Sequence, residues 1–217
     1  MGITERKEKQ KQDFKKMILD ASVKLFVEEG FENVTMRKIA DLIEYSPTTV
    51  YLYFKDKNEI FFHLHQMGFE KMLVMNQHLA EIKNPLMRLY KMGENYIDFG
   101  MKNPEFYDIM FIQRAPMEAL EEMEECNWSL GDTALGALKS LLQECMDKGL
   151  IQKAPVEAAA MAIWGMVHGL VSLTIRDRMK KLVPKEKLLS TMHQSLNWLL
   201  GTIDSSVKKK YSSVKKK

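Results

Sequence analysis

Cysteine is scarce in this chain. Cys126 and Cys145 are the two present, 19 residues apart, and that spacing gives no reason to invoke a disulfide or a zinc site; it suits a reducing cytoplasm. Proline is also rare, at six residues, and no run alternates apolar and polar residues as a half-buried strand does. The charged start, Glu5, Arg6, Lys7, Glu8 and Lys9, carries no apolar core, so no secretory signal is expected. The elements of catalysis are missing too. His63, His65, His78, His168 and His193 form no His-x-x-x-His pair, and none follows a Glu by three residues, so a di-iron carboxylate bundle lacks its ligands. No Gly-rich phosphate loop, nucleophile elbow or Cys/His cluster occurs. The expectation is a protein that is no enzyme and holds neither cofactor nor metal.

What is abundant is helix-forming residue types, with 17 Met alongside many Leu, Ala, Glu and Lys. In 217 residues these can bury a sizeable core in one or two domains. The net charge of +3 is local in origin, because six lysines stand in residues 205–217 and without them the chain is at −3. That end repeats Ser-Ser-Val-Lys-Lys-Lys around Tyr211, a low-complexity pattern expected to be a disordered tail from residue 204.

The stretch from Thr35 to Lys57 reads as two short helices and a turn. Thr35 is a good N-cap, after which Met36, Ile39, Ala40 and Ile43 recur at helical spacing. Glu44 and Tyr45 make the turn, Ser46 caps the second helix, and Pro47 takes its first position, where no N–H is needed. Val50 and Phe54 form the inward pair, leaving Thr48, Thr49, Tyr51 and Tyr53 outward. Hydroxyls, methyls and the nearby Lys55 and Lys57 suit base edges, thymine methyls and phosphates of a major groove. A plain helical hairpin with a polar face fits the same pattern.

The run Thr35-x-Arg37-x-Ile39-Ala40, followed by Ser46-x-x-Thr49-Val50-Tyr51-x-Tyr53-Phe54-Lys55-x-Lys57, resembles the helix-turn-helix of TetR-family transcriptional regulators. Pro47-Thr48 departs from the basic residue and glycine that many members carry there. The resemblance implies that Thr48, Thr49 and Tyr51 read or touch bases, that Thr35, Tyr53 and Lys57 hold phosphates, that Arg37 reaches a base or phosphate, and that Ser46 and Pro47 belong to the same DNA-binding surface.

Around this motif the chain reads as about nine helices. A charged arm over residues 1–12 precedes the first, which carries Phe14, Met17, Ile18, Ala21, Leu25 and Phe26 and ends at Gly30. Asp56 and Glu59 form a capping box for a long fourth helix with the stripe Phe61, Leu64, Gly68, Met72, Met75 and Leu79. Pro85 and Pro104 start the fifth and sixth. The seventh spans about Glu118 to Lys148, and Pro155 and Pro184 open the last two. Ala158–Ile175 lacks formal charge and approaches transmembrane length, but its Ala content and its His168, Ser172 and Thr174 favour a helix buried on two sides, with no membrane involved. Trp164-Gly165-x-x-His168-Gly169 and Asn103-Pro104-Glu105-x-Tyr107-x-x-Met110-Phe111 resemble the ligand-binding half of a TetR subgroup carrying a Trp/His/Gly signature.

That resemblance implies a homodimer joined through the last two helices, with Gly165, Gly169, Met192, Leu196 and Leu199 as interface candidates. Large side chains on several helices, Met72, Met75, Tyr90, Tyr96, Phe106, Met110, Trp128 and Trp164, together with His168, are candidates to line an effector cavity; singly, each also fits an ordinary core. The expectation is all-α, with a helix-turn-helix DNA-binding domain over residues 1–55, a ligand-binding and dimerisation bundle over 56–203, and the tail over 204–217. Functionally it is a cytoplasmic, bacterial repressor that binds a palindromic operator in double-stranded DNA and is released by a small apolar or aromatic effector. A ligand-dependent activator or co-repressor of the same fold, or a helical ligand carrier that binds no DNA, are the alternatives.

Overall fold

The computed structural model describes residues 2–113 and 129–205, and among them the fold is all-helical. Nine α-helices are present there: α1 Ile3–Glu29, α2 Met36–Leu42, α3 Pro47–Tyr51, α4 Lys57–Asn76, α5 Pro85–Lys102, α6 Pro104–Phe111, α7 Ser129–Asp147, α8 Val156–Ile175 and α9 Leu188–Ile203. The expected tail beyond residue 205, the acidic start of the seventh helix, Cys126 and Trp128 lie outside the described residues. The chain divides into two compact units, one of Met1–Phe69 with Glu105–Trp128, the other of Glu70–Pro104 with Ser129–Lys217.

In the first unit, α1 begins ten residues earlier than its apolar pattern indicates. The charged arm is helical, because Glu, Lys and Gln are good helix formers and the carboxylate of Glu5 accepts from the Gly2 N–H at 2.8 Å. The helix stops at Gly30, whose φ of +79° suits glycine, and Phe31 then packs against Phe26 and Phe61. Ile18 and Leu25 of α1, Met36, Ile39 and Ala40 of α2, Val50 of α3, and Ile60, Phe61 and Leu64 of α4 close the core. The cap of α4 differs in one detail from a capping box: Asp56 Oδ1 accepts from Glu59 N at 2.9 Å, but the Glu59 carboxylate reaches back to Lys55 N. Further along, α6 approaches α4 so closely that a Cβ on Gly68 would collide with Met110.

The second unit is organised around α5. Leu86, Leu89, Gly93 and Ile97 recur at helical spacing and are buried among α7, α8 and α9. Buried Asn95 donates from Nδ2 to the Met75 carbonyl at 3.1 Å and to Asn76 Oδ1 at 2.9 Å, where α4 gives way to a 3-10 turn over Gln77–Glu81. Leu141, Leu142, Cys145 and Met146 come from α7, and Ala160, Ile163, Val167 and Val171 from α8. Burial, and then the neighbouring Glu144 carboxylate, push the Cys145 thiol up to about 11, so it stays a neutral core group. Glu144 binds Arg88 of α5 and, at 2.7 Å, Lys148; the Lys148 hydrogen bond is the first cause holding its carboxyl below the usual range. His193 Nε2 of α9 meets Asp98 Oδ1 of α5 at 3.0 Å. After α9 the chain turns back, pairing Asp204 with Ile151 in an isolated bridge.

Candidate nucleic-acid interface and effector site

The reading head is built by two caps and a buried pair. Thr35 Oγ1 accepts from Lys38 N at 3.2 Å and starts α2. Glu44, at φ +61°, turns the chain, and Ser46 Oγ then accepts from Thr49 N at 3.2 Å while lying 2.9 Å from Thr49 Oγ1. Val50 and Phe54 are fully buried, which fixes the opposite face of α3 outward. Thr48 and Tyr51 are exposed there, and Thr49 is half-exposed. Ser46 is thus a structural cap as well as a candidate contact, and Pro47 sits at the first helical position.

Three other expected contacts divide by geometry. Arg37 is exposed on α2 and forms no ion pair among the described residues. Its neighbour Lys38 is committed elsewhere, to Glu29 Oε2 at 2.5 Å and the Asn33 carbonyl at 3.0 Å. Tyr53 is half-buried, its ring 4.6 Å from that of Phe14. Lys57 is not a free surface cation. Its Nζ donates to the Phe31 carbonyl at 3.0 Å and lies 4.1 Å from the Phe31 ring centroid, so it ties α4 to the end of α1. Tyr45 was absent from the expected set. It is half-exposed beside Ser46, edge-on to Phe14 at 4.8 Å, and its place at the turn was the only signal available.

The effector candidates fall into both units. In the second unit Tyr96 of α5 and Trp164 and His168 of α8 form one polar cluster: Trp164 Nε1 donates to the Tyr96 hydroxyl at 3.0 Å, which lies 3.3 Å from His168 Nδ1. Burial lowers the His168 pKa, favouring the neutral ring. Met72 is buried and Met75 half-buried on the same unit's part of α4. Tyr90 is half-buried, its pKa raised by burial and then by Asp204. Phe106 and Met110 belong to the first unit, where both pack beside Gly68.

The interface candidates need a correction. Met192 and Leu196 are fully buried within the subunit, because the i, i+4 stripe of Leu188, Met192, Leu196 and Leu200 turns inward toward α5 and α8. Thr174 Oγ1 lies 3.5 Å from Met192 Sδ. Leu199 is half-buried. Gly165 is exposed and Gly169 half-exposed, and a Cβ on either would meet nothing within 4 Å. The outward apolar side chains of these helices are Met161, Leu173, Leu189 and Trp198, the last 74% exposed. Within the subunit α8 is therefore buried on one side only. It is the one described helix long and apolar enough to cross a membrane, with a mean hydropathy of 1.6. Among the described residues no three His, Cys, Asp or Glu side chains gather as a metal site.

Residues 18–64 match the family described as bacterial regulatory proteins, tetR family, and residues 89–196 match the tetracyclin repressor-like C-terminal domain. That second description, not one of a Trp/His/Gly subgroup, covers Trp164 to Gly169. The HTH-type transcriptional repressor NicS of Pseudomonas putida is 24% identical over 139 residues, which are 62% of this chain and 64% of that protein. The chain thus spans under two thirds of the length of the curated relative it matches. Among solved structures, the fatty acid degradation regulator FadR of Bacillus halodurans superposes with a TM-score of 0.67 at 20% identity, covering 84% of this chain and 93% of that one. FadR of Bacillus subtilis, in complex with stearoyl-CoA, gives 0.68 at 19% identity over 86% and 98%. The regulator PfmR of Thermus thermophilus gives 0.67 at 18% over 84% and 96%.

Proposed function

Because the chain belongs to the TetR family of bacterial regulatory proteins, we propose that it is a cytoplasmic, ligand-responsive repressor that reads a palindromic operator as a homodimer. The observation that carries this is the exposed edge of α3, where Thr48 and Tyr51 project from a helix whose other face is locked by Val50 and Phe54. Thr48, Thr49 and Tyr51 meet base edges and thymine methyls in the major groove, with Arg37 as the guanidinium able to pair with guanine. Thr35, Ser46, Pro47 and Tyr53 face phosphates. Lys57, held by Phe31, acts mainly as a strut for the head. Two heads then sit about one helical turn (~34–36 Å) apart or somewhat more.

Dimerisation uses the outward edges of α8 and α9, Gly165 and Gly169 for close approach and Met161, Leu173, Leu189 and Trp198 for apolar area, with Leu199 at the margin. The effector is a small apolar or aromatic molecule received in the second unit beside Met72, Met75, Tyr96, Trp164 and His168. The stearoyl-CoA bound by the Bacillus subtilis relative supports an apolar effector, and the name of NicS supports repression. Since α4 runs without a break from Lys57 to Asn76, a ligand that displaces its Met72–Met75 turn acts on the helix that carries the reading head. Release requires that the effector bind the DNA-incompatible state more tightly.

The test is a gel shift with the DNA upstream of the protein's own gene, repeated with a series of fatty acyl and aromatic compounds. Retarded DNA released by one compound supports the repressor. Retardation strengthened by ligand overturns the sign, and binding of ligand with no DNA shift in any condition leaves a ligand carrier instead.

A further inference from the structure

The sequence favours α-helix past the point where α4 stops. Gln77, His78, Leu79, Ala80 and Glu81 include no Gly, Pro or β-branched residue. Leu79 also stands four positions after Met75 and seven after Met72, so an α-helical continuation keeps it on their face. Yet α4 ends at Asn76, and Gln77–Glu81 is wound as a 3-10 turn with Leu79 buried. A stretch of 3-10 winding within a helical run often marks a hinge or a strained sequence.

The side chain placed to impose it is Asn95 of α5. It is buried, and its Nδ2 donates both to the Met75 carbonyl at 3.1 Å and to Asn76 Oδ1 at 2.9 Å. In a continuous α-helix the Met75 carbonyl would accept from the Leu79 N–H; here it is capped from another helix instead. Buried Ser22 and Thr174 bond to carbonyls four residues back in their own helices. Asn95 reaches across to a different one, and its two hydrogen bonds offset the cost of burying an amide. Its neighbour in sequence is Tyr96, so one short stretch of α5 joins the effector candidates to the end of α4.

Resting on the effector site proposed above, we infer that Asn95 is a clasp that holds the end of α4 in its 3-10 form, and that the effector acts by opening it. Freed of the clasp, Gln77–Glu81 becomes α-helical and lengthens α4 by more than a turn. At about 1.5 Å and 100° per residue in place of about 2.0 Å and 120°, five residues shorten by about 2.5 Å and unwind by about 100°. The residues that follow are anchored in α5, so the change falls on α4, the helix that carries the reading head.

The experiment compares the full-length wild type with Asn95→Leu, which keeps the volume but cannot donate. Asn76→Ala, which removes one acceptor at a half-exposed position, takes its place should that variant fail to fold. Expected are helical Cα chemical shifts over residues 77–81 and amide exchange slowed about tenfold at Leu79 and Ala80. On a duplex selected from a random pool, the variant should bind DNA several-fold more weakly and stearoyl-CoA several-fold more tightly, because opening the clasp populates the state that the effector prefers. Local damage would weaken both. Unchanged winding, unchanged affinities or weakening of both overturns the clasp while leaving the reading head and the effector site in place. A wild type that selects no duplex, or whose duplex neither stearoyl-CoA nor stearic acid releases, removes the regulated repressor on which the switch rests, whatever the winding of residues 77–81.

Discussion

Leu196 lies so near Gly93 that a Cβ built on the glycine would stand 2.8 Å from Leu196 Cδ2 and 2.9 Å from Cδ1. Two opposing effects meet there. Gly93→Ala gains roughly 0.5–1 kcal/mol of helix propensity, but it forces apart a fully buried leucine, and overpacking costs typically 1–3 kcal/mol. The crowding wins because Leu196 has core on every side. Gly93→Ala should lower stability by about 1 kcal/mol in a denaturant titration, and Leu196→Ala by about 2–5. A stabilised Gly93→Ala protein would show that α9 can slide away from α5.

Tyr51 and Tyr53 are two residues apart yet should behave in opposite ways. Tyr51 is 53% exposed, and no hydrogen bond or ring contact holds it among the described residues. Tyr51→Ala should leave the melting temperature within a degree or two and weaken operator binding at least tenfold, the scale of one good base contact. Tyr53 stacks on Phe14, and losing an aromatic pair removes about 0.5–1.5 kcal/mol beyond its buried area. Tyr53→Ala should therefore melt earlier. Thermal melts and gel shifts on both variants decide it, and equal melting losses would sink the distinction.

The two tyrosines, so close in sequence and so different in setting, mark how far local rules of helix geometry reach. Caps, turn and inward pair at Thr35, Ser46, Glu44, Val50 and Phe54 follow from those rules, and each stands where its spacing places it. The start of α1 was hidden, because residues 4–12 have helix propensity but no apolar period to mark them. The roles of Met192 and Leu196 were hidden for a different reason. An apolar stripe says that a face is buried but not against what, and the partner of this one is α5 of the same subunit. Distant partners of charged residues, such as Phe31 for Lys57, leave no local trace at all.

Lys57 tests that last point directly. Its ammonium is half-buried against the Phe31 carbonyl and ring, and a hydrogen bond to a charged group contributes about 1.5–3 kcal/mol. Lys57→Met, which keeps the stem, should cost about 1 kcal/mol or more by urea unfolding. The salt slope of DNA binding should barely change, unlike the loss of about 0.9 per site expected for a phosphate contact. A full unit off the slope with unchanged stability would restore Lys57 to the DNA surface.

Acid sensitivity should trace to His65, which is fully buried on α4 against the ring of Phe69 at 4.9 Å. Burial lowers its pKa from 6.5 to about 4, so between those values the unfolded chain takes up a proton that the folded chain refuses. Stability is then complete above pH 6.5 and falls as the pH drops toward 4. With about 1.36 kcal/mol for each pKa unit, the loss is about 2 kcal/mol at pH 5. His168, also lowered by burial, adds a loss of the same sign. His65→Gln cannot titrate, and although its own stability at pH 7 is reduced, the difference between pH 7 and pH 5 should shrink by most of that amount. Urea midpoints of both proteins at the two pH values give the answer. Parallel losses in wild type and variant would place the acid-sensitive group elsewhere.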